Sequence, residues 1–325
     1  MDPVSHALFG RLLGGFDERE SLGSGSRTAF VLGALAPDLD ILLVARGWDV
    51  YLHVHQAWIH SIALSPILAL VVASVVRLFS KSARLSRLSI AAWIGIVVGH
   101  LVFDLVSGSD MQLLWPAFQE RFGPHWLAMS DWLAVAVIVV ATLMSVRRRR
   151  LAAQFAVAAM IVLVAVKAGS QSAARRLFLD RSGGTSHAVM APRPDAVSGQ
   201  PFTWVFYDRQ AEAIRAWSVN ARTGVVDLRF SLQAAKDDAA IEASRTVPAV
   251  ATFLELAHLP FPAIETRGGR VRVFWSEPHY CEAGGCGLVF GAELDDHGVP
   301  TEQVIRIGSF EQTRPLGRQS GQAPD

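Results

Sequence analysis

Apolar residues crowd the first 170 or so positions of the chain in long stretches, then alternate with polar ones in short runs after about residue 200. Four long stretches, near 61–79, 88–107, 130–146 and 151–169, approach the roughly 17–25 residues a helix needs to cross a bilayer. A shorter stretch near 28–45 is interrupted by Pro37, Asp38 and Asp40, which predicts a segment that enters or lines a cavity rather than spanning cleanly. The amphipathic opening near 3–15 is expected to pack against it.

The later pattern has a different period. In GVVDLRFSL, Val226, Leu228, Phe230 and Leu232 share one face, while Asp227, Arg229 and Ser231 share the other. In RVRVFWS, Val271, Val273 and Trp275 alternate with Arg270 and Arg272, and FTWVFYD and CGLVFGAEL look similar. A period of two predicts half-buried strands. VPAVATFLELAHL predicts a helix, SGGTSHAVMAPRPDAVSGQP a linker, and TRPLGRQSGQAPD a disordered tail. The expected architecture is a mostly α-helical, multi-pass membrane domain over 1–175, a helical bundle. A small α+β or mostly β soluble domain follows over 176–325.

Composition changes this picture little. The 325 residues suit about two domains, and the net charge of +1 favours no class of partner. The opening MDPVSHALFG is acidic rather than basic, so it does not read as a cleavable signal peptide. Cys281 and Cys286 cannot build a disulfide framework but can close one small loop.

Loop charges give an orientation. Arg77, Lys81, Arg84 and Arg87 fill one connection, and Arg147–Arg150 fill another; basic loops stay cytoplasmic. The Arg run is read as this topological signal, so no nucleic-acid partner is expected. The connection holding Trp115 and Trp126 is then external, as is everything beyond about 175; Lys167, Arg175 and Arg176 sit on the wrong side of this scheme.

Seven ionisable residues lie inside the apolar part: His6, Asp38, Asp40, His55, His60, His100 and Asp104. An ionisable group in hydrocarbon costs several kcal/mol, so such residues mark polar cavities or metals. Imidazole and carboxylate are ligands of catalytic zinc. His100 and Asp104 are four apart and share a helix face. His60, His100, Asp104 and Asp131 all fall toward the external ends of their stretches. Asp110 and Gln56 are further candidates. Pairing His100 with Asp104 would satisfy both without explaining their presence in a span. His53 reads as a surface residue, and His258, His279 and His297 as structural.

These residues carry a resemblance. MDPVSH, PDLD, HQAWIHS and HLVFD followed by LLWP resemble the signature segments of the YdjM-type family, described as LexA-binding, membrane-bound, metal-dependent hydrolases of the inner membrane. The match runs over roughly residues 1–145, and its helical plan is remotely similar to zinc phospholipase C and P1 nuclease. The resemblance implies metal ligation by His6, Asp38, Asp40, His55, His60, His100 and Asp104. It departs at Gln56, where the pattern has Arg, and at Ile59, where it has Thr. Five or more ligands exceed what one tetrahedral zinc takes, so two ions are expected, zinc or alternatively manganese. Asp38 and Asp40 are the expected catalytic carboxylates. The expected substrate is a phosphodiester or other ester at the outer face of the bilayer. A noncatalytic envelope binding protein, or a transporter handling metal ions or protons, would be the other classes.

Overall fold

The structure is a computed structural model that describes residues 2–17, 21–107, 110–181, 192–195, 199–210, 213–236 and 238–316. Its N-terminal half is helical and its C-terminal part is rich in β-sheet. Helix α1 (Pro3–Leu13) starts on Asp2, whose carboxylate accepts from the Ser5 amide at 2.9 Å and so caps the helix. Helix α2 (Ser26–Leu35) ends at Pro37, whose ring and missing N–H break the ladder behind it. The chain bends there by 51° and continues as a 3-10 segment, Pro37–Ala45. Helix α3 (Trp48–Val54) and the turn Trp58–His60 lead through a 95° bend into α4 (Ser65–Phe79). Helices α5 (Leu85–Ile96) and α6 (Val102–Val106) are joined by a π-helical turn, Val97–Leu101, into one 22-residue rod. Helices α7 (Trp132–Ser145) and α8 (Arg149–Arg181) complete the half.

Two glycines set the central crossing. A Cβ at Gly33 would overlap the Ala92 carbonyl, and one at Gly95 would overlap the Phe30 carbonyl. Helices α2 and α5 therefore touch backbone to backbone, which only residues without a side chain permit. Helix α1 packs on α2 in the same way through Gly10, as the sequence predicts.

The long apolar stretches fold differently from four simple rods. Among the described residues only Leu85–Val106 and Arg149–Arg181 are individually long and apolar enough to cross a membrane, and the two bent pairs raise the number to four. Helix α4 has 15 residues rather than the whole of 61–79, because the chain around His60 is turned into a bend. Helix α7 has 14, about 21 Å of rise against an apolar core of about 30 Å. The outer faces stay apolar: Ile67, Leu78 and Phe79 of α4 and Ile161 and Val162 of α8 are exposed. Apolar patches of this extent mark a non-aqueous neighbour. Lys167 is not a loop charge. It is buried in α8 and pairs at 2.7 Å with Asp131, which also caps α7 by accepting from the Leu133 amide.

The β-rich part holds two antiparallel sheets. One has β1 (Arg193–Pro194), β2 (Thr203–Gln210), β3 (Ala213–Asn220) and β4 (Val226–Gln233) in that order. The other contains β5 (Phe261–Arg267), β6 (Arg270–Ser276), β9 (Leu288–Leu294), β10 (Pro300–Ile307) and β11 (Phe310–Pro315), ordered β11-β10-β9-β6-β5. A short ribbon of β7 (Cys281–Glu282) and β8 (Gly285–Cys286) is closed by the Cys281–Cys286 disulfide. All four predicted strands form, and so does the predicted helix, Pro248–Leu256. The alternation of β4 is broken: the register with β3 shifts between Ala216↔Phe230 and Trp217↔Leu228, so the extra residue Arg229 turns Leu228 off the face of the buried Phe230 and leaves it half exposed. The linker expected over 182–201 contributes Arg193–Pro194 to the first sheet, and its residues 182–191 and 196–198 lie outside the described residues. The expected tail begins instead as strand, because Thr313–Pro315 pair with Glu302–Val304; its residues 317–325 lie outside the described residues.

The two parts share cores. Trp48 and Leu52 of α3 pack with Phe253 and Phe290, and Phe178 at the end of α8 stacks on Phe206 at 4.6 Å. Asp110 adds a polar tie, accepting from His258 at 3.0 Å while pairing with His125 at 3.2 Å. Burial pushes the Asp110 carboxyl up, but the hydrogen bonds from His125 and His258 outweigh it and hold it well below the usual range. The bond to Asp110 in turn raises His258 above its ordinary 6.5. A raised His stabilises fully below 6.5 and loses that contribution as pH rises through its folded value; a depressed Asp stabilises above 3.8 and loses it on acidification. The tie is therefore expected to be tightest between about pH 4 and 6.5. Hydrogen exchange at the His258 and Leu259 amides, corrected for intrinsic rate, should speed up from pH 6 to 8.5. Protection independent of pH, or the same trend in His258→Gln, would contradict this account.

Candidate metal centre

His6, Asp38, Asp40, His55, His60, His100 and Asp104 meet in one place, five of them buried and Asp38 and His55 partly exposed. The break at Pro37 brings Asp38 and Asp40 in from α2. The bend before α4 brings His55 and His60, with Gln56 between them held at a left-handed φ of 57°. Such backbone is sparsely populated for a non-glycine residue and persists where the surroundings impose it, often at functional sites. The π-turn carries His100 and hands on to Asp104; turns of this kind also concentrate at functional sites. Helix α1 supplies His6.

The groups fall into two overlapping sets. Asp38, His60, His100 and Asp104 offer ligand atoms all within 4.8 Å of one another, and so do Asp40, His55 and His60. His60 belongs to both. Its Nε2 lies 3.7 Å from Asp38 and 4.0 Å from Asp104, and its Nδ1 lies 3.9 Å from Asp40. His55 Nδ1 reaches Asp40 at 3.0 Å. His100 Nε2 reaches Asp104 at 3.1 Å and Asp38 at 3.5 Å. His6 touches Asp104 at 3.1 Å but stands outside both sets, with its ring stacked on His100.

Hydrogen-bond roles sharpen the picture. His100 Nδ1 lies 2.8 Å from the Ala34 carbonyl, and His6 Nδ1 lies 2.9 Å from the Gly99 carbonyl. A carbonyl only accepts, so both Nδ1 atoms must donate. In the neutral ring each Nε2 then holds a lone pair facing carboxylate oxygens, which also only accept. Protonation would relieve either ring alone, but it would crowd positive imidazoles together. It would also leave His60, both of whose ring nitrogens are buried with no hydrogen-bond partner. A divalent cation among Asp38, His60, His100 and Asp104 would accept the His60 and His100 lone pairs and offset the charge of the two carboxylates. A backbone carbonyl fixing the tautomer of a ring whose other nitrogen faces the ion is the usual arrangement around a metal-ligating His. The residues present therefore fit a metal.

The other candidates lie elsewhere. Asp131 is committed to Lys167 and the α7 cap, and Asp110 to His125 and His258. Gln56 lines the cavity next to His55. His53 is exposed, as the sequence suggests; His297, read as structural, is exposed too. His258 and His279 both line that same cavity. No local spacing could have found them, because Asp110 and His258 are 148 positions apart.

The family model described as YdjM inner membrane protein matches residues 1–172, more than half of the chain, and the chain belongs to that family. All seven residues of the site fall inside the matched segment. No curated protein and no solved structure matches the chain.

His60, shared by both sets, should matter most to metal binding. His60→Ala is expected to remove nearly all zinc retained after dialysis, measured as ions per chain by mass spectrometry. His6→Ala, outside both sets, should weaken affinity only by about 10–100-fold. Equal losses in the two variants would refute this division of roles.

Proposed function

We propose that the chain is a membrane-bound, metal-dependent hydrolase acting on a phosphodiester or other ester at the outer face of the inner membrane. The observation that supports this most is the buried His60 imidazole, shared between two ligand sets with both nitrogens lacking a hydrogen-bond partner among the described residues. His60, His100, Asp104 and Asp38 would hold one ion, and His55, Asp40 and His60 would hold or complete a second. A divalent ion supplies Lewis acidity and makes water a nucleophile near neutral pH.

Exposure divides the work of the carboxylates. The side chains of Asp40 and Asp104 are 1% and 4% exposed, whereas that of Asp38 is 21% exposed. Asp40 orients His55. Asp104 bridges His6 and His100. Asp38 is the most exposed of the three carboxylates, and it would take the proton from the attacking water. Positioned proton transfer of this kind contributes about 10²–10⁴-fold.

Purified protein reconstituted with zinc or manganese should cleave a chromogenic phosphodiester, and chelation should abolish this. Asp38→Asn should lower kcat by about 10²–10⁴-fold with KM little changed. A folded, metal-loaded protein that turns over no ester or phosphodiester in a broad panel would end the enzyme reading.

The same proposal fixes the topology. The basic connections Arg77–Arg87 and Arg147–Arg150 are cytoplasmic, and the β-rich part is periplasmic. Lys167 no longer opposes this, being neutralised by Asp131 inside the protein. A reporter active only in the periplasm should work when fused after residue 316 and be silent after Arg150. The reverse pattern would move the site to the cytoplasmic face.

A further inference from the structure

A cavity of about 330 Å³ lies between the helical half and the β-rich part, and His55 of the candidate metal centre is in its wall. That volume falls within the range of small-molecule sites, about 300–1,000 Å³. Its lining mixes two chemistries: Leu52, Phe253, Leu256 and Phe290 are apolar, while Arg121, Arg193 and His258 are basic.

The charged groups of the lining, Arg121 apart, engage one another or the backbone. Asp110 is engaged by His125 on one oxygen and by His258 and, at 3.6 Å, Arg193 on the other. Glu277 spends one carboxylate oxygen on the His258 and Leu259 amides, at 2.6 and 2.8 Å. Arg121 hydrogen-bonds only neutral acceptors among the described residues: the His55 carbonyl at 2.9 Å and the His53 carbonyl at 3.3 Å. Those bonds orient its guanidinium beside the segment that carries His55. No carboxylate forms an ion pair with it among the described residues. A guanidinium cannot shed its proton at ordinary pH, and its planar fork suits a phosphate oxygen pair.

We propose that this cavity is the substrate pocket, that it takes an amphiphile with an anionic phosphodiester headgroup, and that Arg121 determines the preference for that headgroup. The apolar tail lies along Leu52, Phe253, Leu256 and Phe290, so the β-rich part supplies the wall that selects the tail. This rests on the hydrolase reading for the identity of the bound molecule as a substrate, but occupancy of the cavity can be tested without turnover.

The test uses the full-length, detergent-purified chain in EDTA. Binding of dihexanoyl phosphatidylglycerol is measured by calorimetry and compared with uncharged dihexanoylglycerol. Wild type should favour the phosphodiester, and Arg121→Gln should raise its Kd tenfold or more while leaving the uncharged lipid unaffected. Arg121→Lys should fall between the two. Ala257→Trp, which fills the cavity, should weaken both lipids. Equal phosphodiester affinity in wild type and Arg121→Gln would overturn the proposal, as would a wild type that does not distinguish the two lipids. Should the Arg121 variants fail to fold, Ala257→Trp decides: unchanged affinity overturns the assignment and loss of both supports it. Arg121-dependent binding without turnover in zinc would support the pocket and refute only the hydrolase reading.

Discussion

Three carboxylates and four imidazoles are packed inside helices that are otherwise apolar, and the helical half is shaped around that cost. Removing a single ion from water costs several kcal/mol in a real protein, and unpaired burial costs more. The chain tolerates Asp40 and Asp104 because each faces imidazoles at about hydrogen-bond distance. Every departure from a plain helix serves this meeting. Pro37 turns Asp38 and Asp40 inward, the 95° bend aims His55 and His60, and the π-turn re-aims His100. Gly33 and Gly95 let α2 approach α5 closely enough for the Ala34 carbonyl to reach His100.

A second constraint acts at the outer surface. Helices α4, α7 and α8 present Ile67, Phe79, Leu143, Ile161 and Val162 outward, where water would penalise them. Charged groups that fall among these helices are withdrawn into pairs, as with Lys167 and Asp131. The apolar exterior and the polar centre thus follow one rule: ionisable groups are gathered inside the bundle, where His60 and His100 nitrogens still lack hydrogen-bond partners among the described residues.

What the sequence revealed depended on how far apart the contributing residues lie. His100 and Asp104 are four apart, so helical geometry alone placed them together. PDLD and HQAWIHS stood out because ionisable residues interrupted apolar stretches. The strands were legible through their period of two, though Leu228 shows that the period does not reveal a bulge, here at Arg229, that moves a side chain to the other face. The lengths of α4 and α7 were not legible, because hydropathy does not register the bend around His60 or a cap supplied by Asp131. His6 could be assigned to the site but not placed within it. Its position outside both sets depends on the Gly99 carbonyl, 93 residues away. The Asp110–His258 tie and the cavity behind it depend on tertiary contacts between the two parts and left no local trace.

The division between parts carries the last step. Residues 1–172, which match the family, contain every His and Asp of the candidate centre. They supply only some of the cavity beside His55. Phe253, Leu256, His258 and Phe290 come from beyond residue 172. On the proposed reading, bond-making groups need fixed distances, and the helical half provides them through caps, bends and backbone contacts. Selection of a ligand needs shape and local charge, which a separate wall can vary without disturbing those distances. Helix α3 connects the two tasks, because Leu52 packs into the sheet core while His55, just past the helix end, faces Asp40. A shift of the β-rich part against α3 would therefore reach His55 first, and His60, held deeper in the bundle, last.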